Sequence, residues 1–258
     1  MLQETRLHRI RALLTTLNQV STEQIIKELG ISRETARRDI IELESQGAAR
    51  RVHGGIVAVD TAPELPLNVR STVQAKEKRA IARAAAQLLH PGQTLFIDAG
   101  STTTMLAEEL RSLAGITIIT NSLNAALVLS ATEEYEAMKN TVILLGGSMQ
   151  AGAKETRGDL TVNEIYRYRA DVAMLSPVGI EARSGATSFH PYEAAIARAM
   201  AQQANQLVLL ADHSKLGATS RMVYATPSEI ALLITDSNAD KQPAFAALKR
   251  DLPRVLIG

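Results

Sequence analysis

The chain has 258 residues, enough for one or two domains with a substantial core. Lys and Arg total 28 against 27 Asp and Glu, so the net charge of +1 excludes a polycationic nucleic-acid-binding tail. The absence of cysteine excludes disulfides and Cys-ligated zinc sites and fits a reducing cytoplasm. No apolar run reaches the roughly 18 residues of a membrane span, and the first residues lack a signal-peptide pattern. We therefore expect a folded cytoplasmic protein without a membrane partner.

Three helices are predicted within residues 1–59. Apolar residues recur at helical spacing in the first, namely Leu7, Ile10, Leu14 and Leu17. A capping-box pair, Ser21 and Gln24, opens the second helix, which ends at Gly30. Ser32 is a good N-cap for the third helix. Because only Gly30 and Ile31 separate the second and third helices, the pair resembles a helix-turn-helix.

The third helix is predicted to carry polar residues on its outer face. If Ala36, Ile40 and Leu43 point inwards, the outward arc holds Glu34, Thr35, Arg37 and Arg38. Guanidinium groups match phosphates and the guanine edge, and a helix fits the major groove of B-DNA. Charge alone does not establish DNA binding, because residues 1–60 carry nine Lys/Arg and eight Asp/Glu. A helical domain with a solvated charged face is the alternative.

A hairpin is predicted after the third helix, which ends at Gly47. In this segment Gly54-Gly55 would form a two-residue turn with positive φ between two short strands. This is the geometry of a wing. Arg50, Arg51 and His53 on the wing would contact backbone phosphates or a minor groove.

An α/β domain is predicted after a linker. Residues 60–73 contain two prolines and no periodic pattern, which indicates the linker. In residues 74–258, helical stretches alternate with apolar β-rich runs at 94–98, 116–120, 141–147, 171–176, 206–212 and 230–236. Strands this continuously apolar are typical of a mostly parallel sheet covered on both faces.

Small and polar residues follow several of these strands. The loop from Asp98 to Thr103 presents backbone N–H groups and hydroxyls that suit a phosphate, although small hydroxyl residues also cap helices for structural reasons. Ligands in open α/β sheets bind outside the carboxyl ends of strands, which predicts one sugar-phosphate pocket. Lys215 would bind the phosphate, unless it is an ordinary surface lysine, and Asp98 would bind a sugar hydroxyl or brace the loop. The predicted pocket residues are Asp98, Gly100, Ser101, Thr102, Thr103, Asn121, Gly146, Gly147, Gly179 and Lys215.

The helix-turn-helix segment resembles a known family. Arg6, Ile10, Leu14 and the run 32–40 (SRETARRDI) look like the DNA-binding signature of the DeoR family of bacterial transcriptional regulators, and 53–55 (HGG) resembles its wing. The resemblance implies a structural Asp39 that orients Arg38 or a neighbouring arginine; a plain surface carboxylate is the alternative. The predicted DNA contacts are Ser32, Arg33, Glu34, Thr35, Arg37, Arg38, Arg50, Arg51, His53 and Gly54.

The later motifs IDAGSTT, TN, LLGG and LADHSKLG resemble the sensor domain of the same family, which is related to ribose-5-phosphate isomerase and CoA-transferase folds. The resemblance implies a repressor of a sugar or polyol catabolic operon that releases DNA when a phosphorylated intermediate binds. Two departures from the family pattern bear on ligand choice. Ala197 stands before Arg198 where the family often has lysine, and Ser176-Pro177 replaces a more usual small-residue turn ahead of Gly179. His190 is either a ligand contact or an ordinary loop residue.

Two other classes of protein are alternatives to a transcriptional regulator. An isomerase or CoA-transferase-like enzyme would use Asp98, Glu181 and Lys215 as acid/base groups, but the tethered DNA-binding unit argues against it. A structural nucleoid protein does not fit the neutral net charge. The five histidines show no metal-ligand spacing, so neither a metal nor another cofactor is expected. The expected partners are double-stranded operator DNA, a phosphorylated sugar or polyol, and further copies of the chain in a dimer or tetramer.

Overall fold

The chain folds into two compact units, Met1–Pro66 and Leu67–Gly258. No helix in the described parts of these units is long and apolar enough to cross a membrane. The predicted boundaries at residues 59 and 73 stay predictions. The computed structural model describes residues 3–17, 19–45, 49–52, 54–58, 67–131, 139–149 and 154–258.

The first unit contains the predicted helix-turn-helix. Ser21 and Gln24 form the predicted capping box, and Gly30 ends the second helix in the left-handed conformation, with φ 60°. Ser32 Oγ accepts the Thr35 N–H at 3.2 Å, as an N-cap does. In chain order the elements are α1 (Gln3–Leu17), β1 (Gln19–Ser21), α2 (Thr22–Leu29), α3 (Arg33–Ser45), β2 (Ala49–Val52) and β3 (Gly55–Ala58).

An ion pair ties α1 to α3. Asp39 is fully buried, and it accepts hydrogen bonds from Arg6 Nε at 2.6 Å and from a second Arg6 nitrogen at 3.0 Å. The side-chain hydrogen bond to Asp39 raises the pKa of Arg6. Asp39 is therefore structural and holds an arginine, as predicted, but its partner is Arg6 of α1 and not Arg38. Asp39 lies on the buried face of α3 with Ala36, Ile40 and Leu43, whereas Arg38 is exposed and bonds Glu34.

The wing is a three-stranded sheet in which β3 lies between β1 and β2. Strand β1 was not predicted. Val52 pairs with Gly55, so Gly55 belongs to β3 and not to the predicted two-residue turn. Gly54 has φ +84°, whereas Gly55 is a strand residue beside β1, where an added Cβ would lie 2.8 Å from Ser21 Cα. Close strand approach, and not a turn, requires Gly55 to lack a side chain.

The second unit has the predicted α/β class. Its first element is a short helix, α4 (Leu67–Arg70), which lies within the predicted linker. The next helix, α5 (Ala75–Ala86), contains the buried Lys78. Lys78 Nζ donates to the Arg70 and Val73 carbonyls at 2.7 and 2.9 Å and so joins α4 to α5. The elements are α4 (Leu67–Arg70), α5 (Ala75–Ala86), β4 (Thr94–Ile97), α6 (Ser101–Leu110), β5 (Thr117–Thr120), α7 (Leu123–Ser130), β6 (Thr141–Leu144), α8 (Asp159–Ile165), β7 (Ala170–Leu175), β8 (Gly179–Glu181), β9 (Gly185–Ser188), α9 (Pro191–Gln202), β10 (Ala204–Leu210), β11 (Met222–Ala225), β12 (Leu232–Thr235), α10 (Phe245–Asp251) and β13 (Val255–Ile257).

A seven-stranded parallel sheet with the order β13-β12-β10-β7-β4-β5-β6 forms the centre of this unit. Residues alternate between its faces: Leu95 and Ile97 pack against α5, α6 and α7, while Phe96 belongs to the core cluster that includes α9 and α10 residues. Two features were not predicted, the edge strand β13 and the antiparallel sheet β11-β9-β8. Both faces of the sheet are covered, as the apolar strands predicted.

The strand order reverses between β4 and β7. From β4 the chain builds outwards through β5 and β6, then returns to place β7 on the other side of β4 and continues through β10, β12 and β13. A crevice forms outside the carboxyl ends of the strands at such a reversal, and ligands bind there in open α/β sheets. The loops after β4 and β7 are therefore the candidate position of a ligand site.

Candidate functional site

The outer face of α3 carries the predicted arginines. The side chains of Arg33 and Arg38 are 79% and 76% exposed, and they pair with Glu23 and Glu34. Such exposed pairs contribute little to stability, so a phosphate can replace the carboxylate at small cost. Arg37 is also exposed, and its guanidinium has no partner among the residues that the structure describes. The helix thus presents three guanidinium groups that are available to DNA.

The other predicted DNA contacts lie at the start of α3 and on the wing. Ser32 and Thr35 share a hydroxyl hydrogen bond of 2.8 Å at the N-terminus of α3. Arg50 and Arg51 are exposed on β2, and the Arg51 N–H donates to Glu44. His53 lies outside the described residues.

Asp98 lies at the reversal of the strand order. It directly follows β4, and its Oδ2 accepts the Ser176 N–H from the end of β7 at 3.0 Å. Its Oδ1 is buried and has no hydrogen-bond partner among the described residues. Buried polar atoms are nearly always paired, so a buried carboxylate oxygen that no described residue satisfies, at the edge of a crevice, is a candidate for contact with a ligand. The backbone N–H of Ser176, a residue that departs from the family pattern, thus helps to hold this carboxylate.

Burial raises the pKa of Asp98 to about 7. The Ser176 N–H acts in the opposite direction, and the charges of Glu155 and Glu193 raise the pKa further. Strongly perturbed carboxyl groups in a cleft are typical of functional sites. At neutral pH this side chain is close to half ionised.

The loop after Asp98 has two kinds of hydroxyl group. Thr103 Oγ1 bonds the backbone of Asp98 and Gly100 and closes a capping box, so it holds the loop. Ser101 and Thr102 are buried in the first turn of α6, and their hydroxyls make no hydrogen bond with described residues. The first turn of a helix also leaves backbone N–H groups unpaired. Ser101 and Thr102 are therefore the residues of this loop that a phosphate can use.

Asn121 follows β5, the strand next to β4. Its Nδ2 donates to the Thr156 carbonyl at 3.1 Å, while its Oδ1 is buried without a partner among the described residues. By contrast, the Gly146 N–H is bonded to Glu164, and Gly147 lies against Thr161 and the Arg157 backbone. Asn121 thus offers a free acceptor, while the two glycines shape the loop beyond β6.

Lys215 lies in a short 3-10 helix after β10. Asp212 caps this helix through Ser214, and Asp236 accepts hydrogen bonds from the backbone and ring of His213. The Lys215 ammonium has no partner among the described residues. Only β7 separates β10 from β4, which corresponds to roughly 10 Å between strands. Gly179 lies nearby, at the start of β8 and against the Ala218 backbone.

Four residues near Asp98 were not predicted to belong to the site, namely Glu155, Arg157, Glu193 and Tyr224. Arg157 pairs with Glu155 and, at 3.5 Å, with Glu193. The fourth is Tyr224 on β11, whose hydroxyl is buried without a partner among the described residues. Only Glu193 lies close in sequence to a candidate named from the sequence, which is His190. A tyrosine in a short β-rich stretch carries no signal of its own.

The remaining sequence candidates have structural contacts. Glu181 accepts the Ser184 N–H and hydroxyl, and the hydroxyl bond chiefly lowers its pKa. Arg198 donates to the Tyr224 carbonyl at 3.0 Å and to Glu229 at 3.1 Å, which ties α9 to β11. His190 precedes α9 and packs edge-on against Phe189.

Unpaired polar atoms thus follow three of four adjacent strands. Asp98 Oδ1 and Asn121 Oδ1 are able to accept hydrogen bonds from a ligand, and the Lys215 ammonium provides a positive charge. Acceptors beside a cation suit a ligand that has hydroxyl groups at one end and an anionic group at the other. No cluster of His, Asp or Glu that could hold a metal occurs among the described residues.

Known proteins resemble this chain along nearly its whole length. The HTH-type transcriptional repressor GlcR of Bacillus subtilis is 39% identical over 92% of this chain and 89% of its own. The glycerol-3-phosphate regulon repressor of Escherichia coli is 31% identical over 92% of both chains. The sorbitol operon regulator SorC of Klebsiella pneumoniae is a weaker match, with a TM-score of 0.34 and 14% identity over 96% of both chains.

Family models match both units. The DeoR-like helix-turn-helix domain matches residues 6–62, and the DeoR C-terminal sensor domain matches residues 73–237. The resemblance noted in the sequence is therefore confirmed. The chain belongs to the DeoR family of transcriptional regulators.

Proposed function

We propose that this protein represses a sugar or polyol catabolic operon and releases its operator when a phosphorylated effector binds. The observation that carries the proposal is the set of unpaired polar atoms around the strand-order reversal, on Asp98, Asn121 and Lys215, in a chain whose other unit exposes Arg37. One unit presents cations to DNA, and the other presents a site for a small anionic polyol. The names of the repressor relatives support the same function.

In the proposed DNA complex, α3 lies in the major groove and the wing contacts the backbone. Arg37 and Arg38 bind base edges or phosphates. Because one helix reads few base pairs, we propose that the protein binds a two-fold operator in the cytoplasm as a dimer or tetramer. The full set of proposed contacts is Ser32, Arg33, Glu34, Thr35, Arg37, Arg38, Arg50, Arg51, His53 and Gly54.

In the proposed effector complex, the phosphate binds Ser101, Thr102 and Lys215, because the side chains of these residues have no hydrogen-bond or ion-pair partner among the described residues. Asp98 and Asn121 accept hydrogen bonds from sugar hydroxyls. The other predicted residues shape the surrounding loops, namely Gly100, Thr103, Gly146, Gly147 and Gly179.

We propose binding without turnover. An isomerase or transferase in this fold would need several free acid/base groups, yet the carboxylate of Glu181, one of the three candidates, is held by the N–H and hydroxyl of Ser184. Incubation of the purified protein with ribose 5-phosphate or acyl-CoA should leave both compounds unchanged. Multiple turnovers would favour the enzyme.

The function is tested with a fluorescently labelled operator, taken from the DNA upstream of the protein's own gene and of adjacent sugar-utilisation genes. Fluorescence anisotropy should detect specific binding, and phosphorylated sugars or polyols should reverse it at concentrations where the unphosphorylated compounds do not. A protein that binds no such site, or that holds it in the presence of every phosphorylated compound, would refute the proposal.

We expect Arg37→Ala and Arg38→Ala to weaken operator binding. The loss should be about 1 to 3 kcal/mol if the arginine reads a base, whereas a phosphate contact should lower the salt dependence by about one charge. Arg250→Ala is the control, because Arg250 is an exposed arginine of the other unit, paired only with Asp251 among the described residues. If both α3 variants bind the operator with wild-type affinity, α3 does not lie in the major groove.

A further inference from the structure

Tyr224 is a tyrosine where packing alone would favour phenylalanine. It is 2% exposed, and its ring belongs to the core cluster that includes Phe96 and Ile119. Its hydroxyl is buried and makes no hydrogen bond with any described residue. A buried hydroxyl without a partner is destabilising, and buried tyrosine hydroxyls usually find one. The hydroxyl therefore has a use other than packing.

The unpaired atoms of Asp98 and Asn121 lie on the sheet face that Tyr224 covers. Phe96 and Ile119 point to this face, and side chains alternate along a strand. Asp98 and Asn121 stand two positions further along β4 and β5, so they continue the same face beyond the strand ends. The charge of Asp98 adds to the effect of burial in raising the pKa of Tyr224, which places the two side chains close enough to interact.

The three groups have complementary hydrogen-bonding roles. Ionised Asp98 and the Asn121 Oδ1 only accept hydrogen bonds, whereas the Tyr224 hydroxyl can also donate. No hydrogen bond joins any two of them. A ligand hydroxyl can donate to either oxygen and at the same time accept from Tyr224. Neighbouring hydroxyls of a polyol would therefore satisfy all three groups, which an apolar ligand would not.

We propose that Tyr224 determines effector specificity by binding, together with Asp98 and Asn121, the hydroxyl groups of a polyhydroxylated phosphate ester. This inference rests on the proposed effector site and adds to it the residue that selects hydroxylated ligands. Removal of a ligand hydroxyl leaves buried protein groups unpaired, which is how a site rejects an analogue most strongly.

The test compares wild type with Tyr224→Phe in the operator-release assay. The probes are glycerol 3-phosphate, ribose 5-phosphate, glucose 6-phosphate and sorbitol 6-phosphate, followed by the monodeoxy analogues of the most potent one. We expect Tyr224→Phe to raise the effective concentration of that compound by about 3- to 10-fold. At least one deoxy analogue should be affected much less by the substitution, because the hydroxyl that Tyr224 contacts is already missing. An equal loss for every analogue, or no loss at all, would overturn the inference.

Thermal unfolding of the ligand-free protein supplies a second readout. Tyr224→Phe should leave the melting temperature unchanged or raise it, since the hydroxyl has no hydrogen bond to any residue that the structure describes. A clear fall would show that the hydroxyl is used within the fold, and would overturn the inference. Tyr166→Phe is the matched control, because its exposed hydroxyl bonds Gln202, and release should be unaffected. If no probe releases DNA from wild type, the proposed function itself fails; the inference alone fails if wild type responds and Tyr224→Phe responds identically.

Discussion

The substitution Asp98→Asn should stabilise the ligand-free protein by about 2 to 4 kcal/mol at pH 8. The pKa of Asp98 is about 7 in the folded protein, against an ordinary value of 3.8. Between these two values the unfolded chain has lost the proton and the folded chain keeps it, so the free energy of unfolding falls as the pH rises. Above pH 7 the full penalty of the buried charge is present. Asparagine removes the charge and retains an oxygen for the Ser176 N–H.

The measurement is urea unfolding of both proteins at pH 5, 6, 7 and 8. The gap between the two stabilities should be smallest at pH 5, where the wild type has lost about 1.5 kcal/mol, and should widen until about pH 7, above which it stays nearly constant. Asp171→Asn is the matched control, because Asp171 accepts the Thr94 N–H at 2.8 Å across the same two strands at their opposite ends. An equal gain in both variants would mean that general charge removal is responsible. If Asp98→Asn is more stable than wild type and responds poorly to effector, the carboxylate of Asp98 lowers the stability of the fold but is needed for effector binding.

The second large effect is expected for Lys215→Ala, which should weaken effector binding by about 10- to 100-fold. Hydrogen bonds to charged groups contribute roughly 1.5 to 3 kcal/mol, and this ammonium has no described protein partner that could use it instead. Operator affinity without effector should remain at the wild-type value, since Lys215 belongs to the other compact unit. The expected phenotype is a repressor that no longer releases its operator, because the two sites are coupled through effector binding.

The sharpest readout for Lys215 compares each sugar phosphate with its unphosphorylated sugar. Wild type should prefer the phosphate ester, and Lys215→Ala should lose most of that preference. Lys249→Ala is the control, because its ammonium lies over the Phe245 ring in α10. If wild type and Lys215→Ala release DNA at the same effector concentration, the phosphate binds elsewhere.

The local patterns of this sequence were enough to predict both units. Ser21, Gln24 and Gly30 mark helix ends through contacts within a few residues, and the apolar runs predict a covered parallel sheet. The loop at Asp98 could likewise be found in the sequence, because it follows a recognisable strand. Such features depend on neighbours in the chain, so they can be read without the fold.

Only the tertiary structure decided which of these residues meet. Strand order places β7 beside β4, so Ser176 bonds Asp98 from 78 residues away. The partner of Asp39 is Arg6, 33 residues away, because Asp39 faces the core rather than the surface of α3. Tyr224 is a candidate for effector binding only because the fold buries its hydroxyl where no described residue bonds it. The periodicity of apolar residues shows which face of a helix or strand is buried, but not which distant residue packs against that face. The hydrogen-bond partner of a buried polar group depends on that distant residue, so only the tertiary structure identifies it.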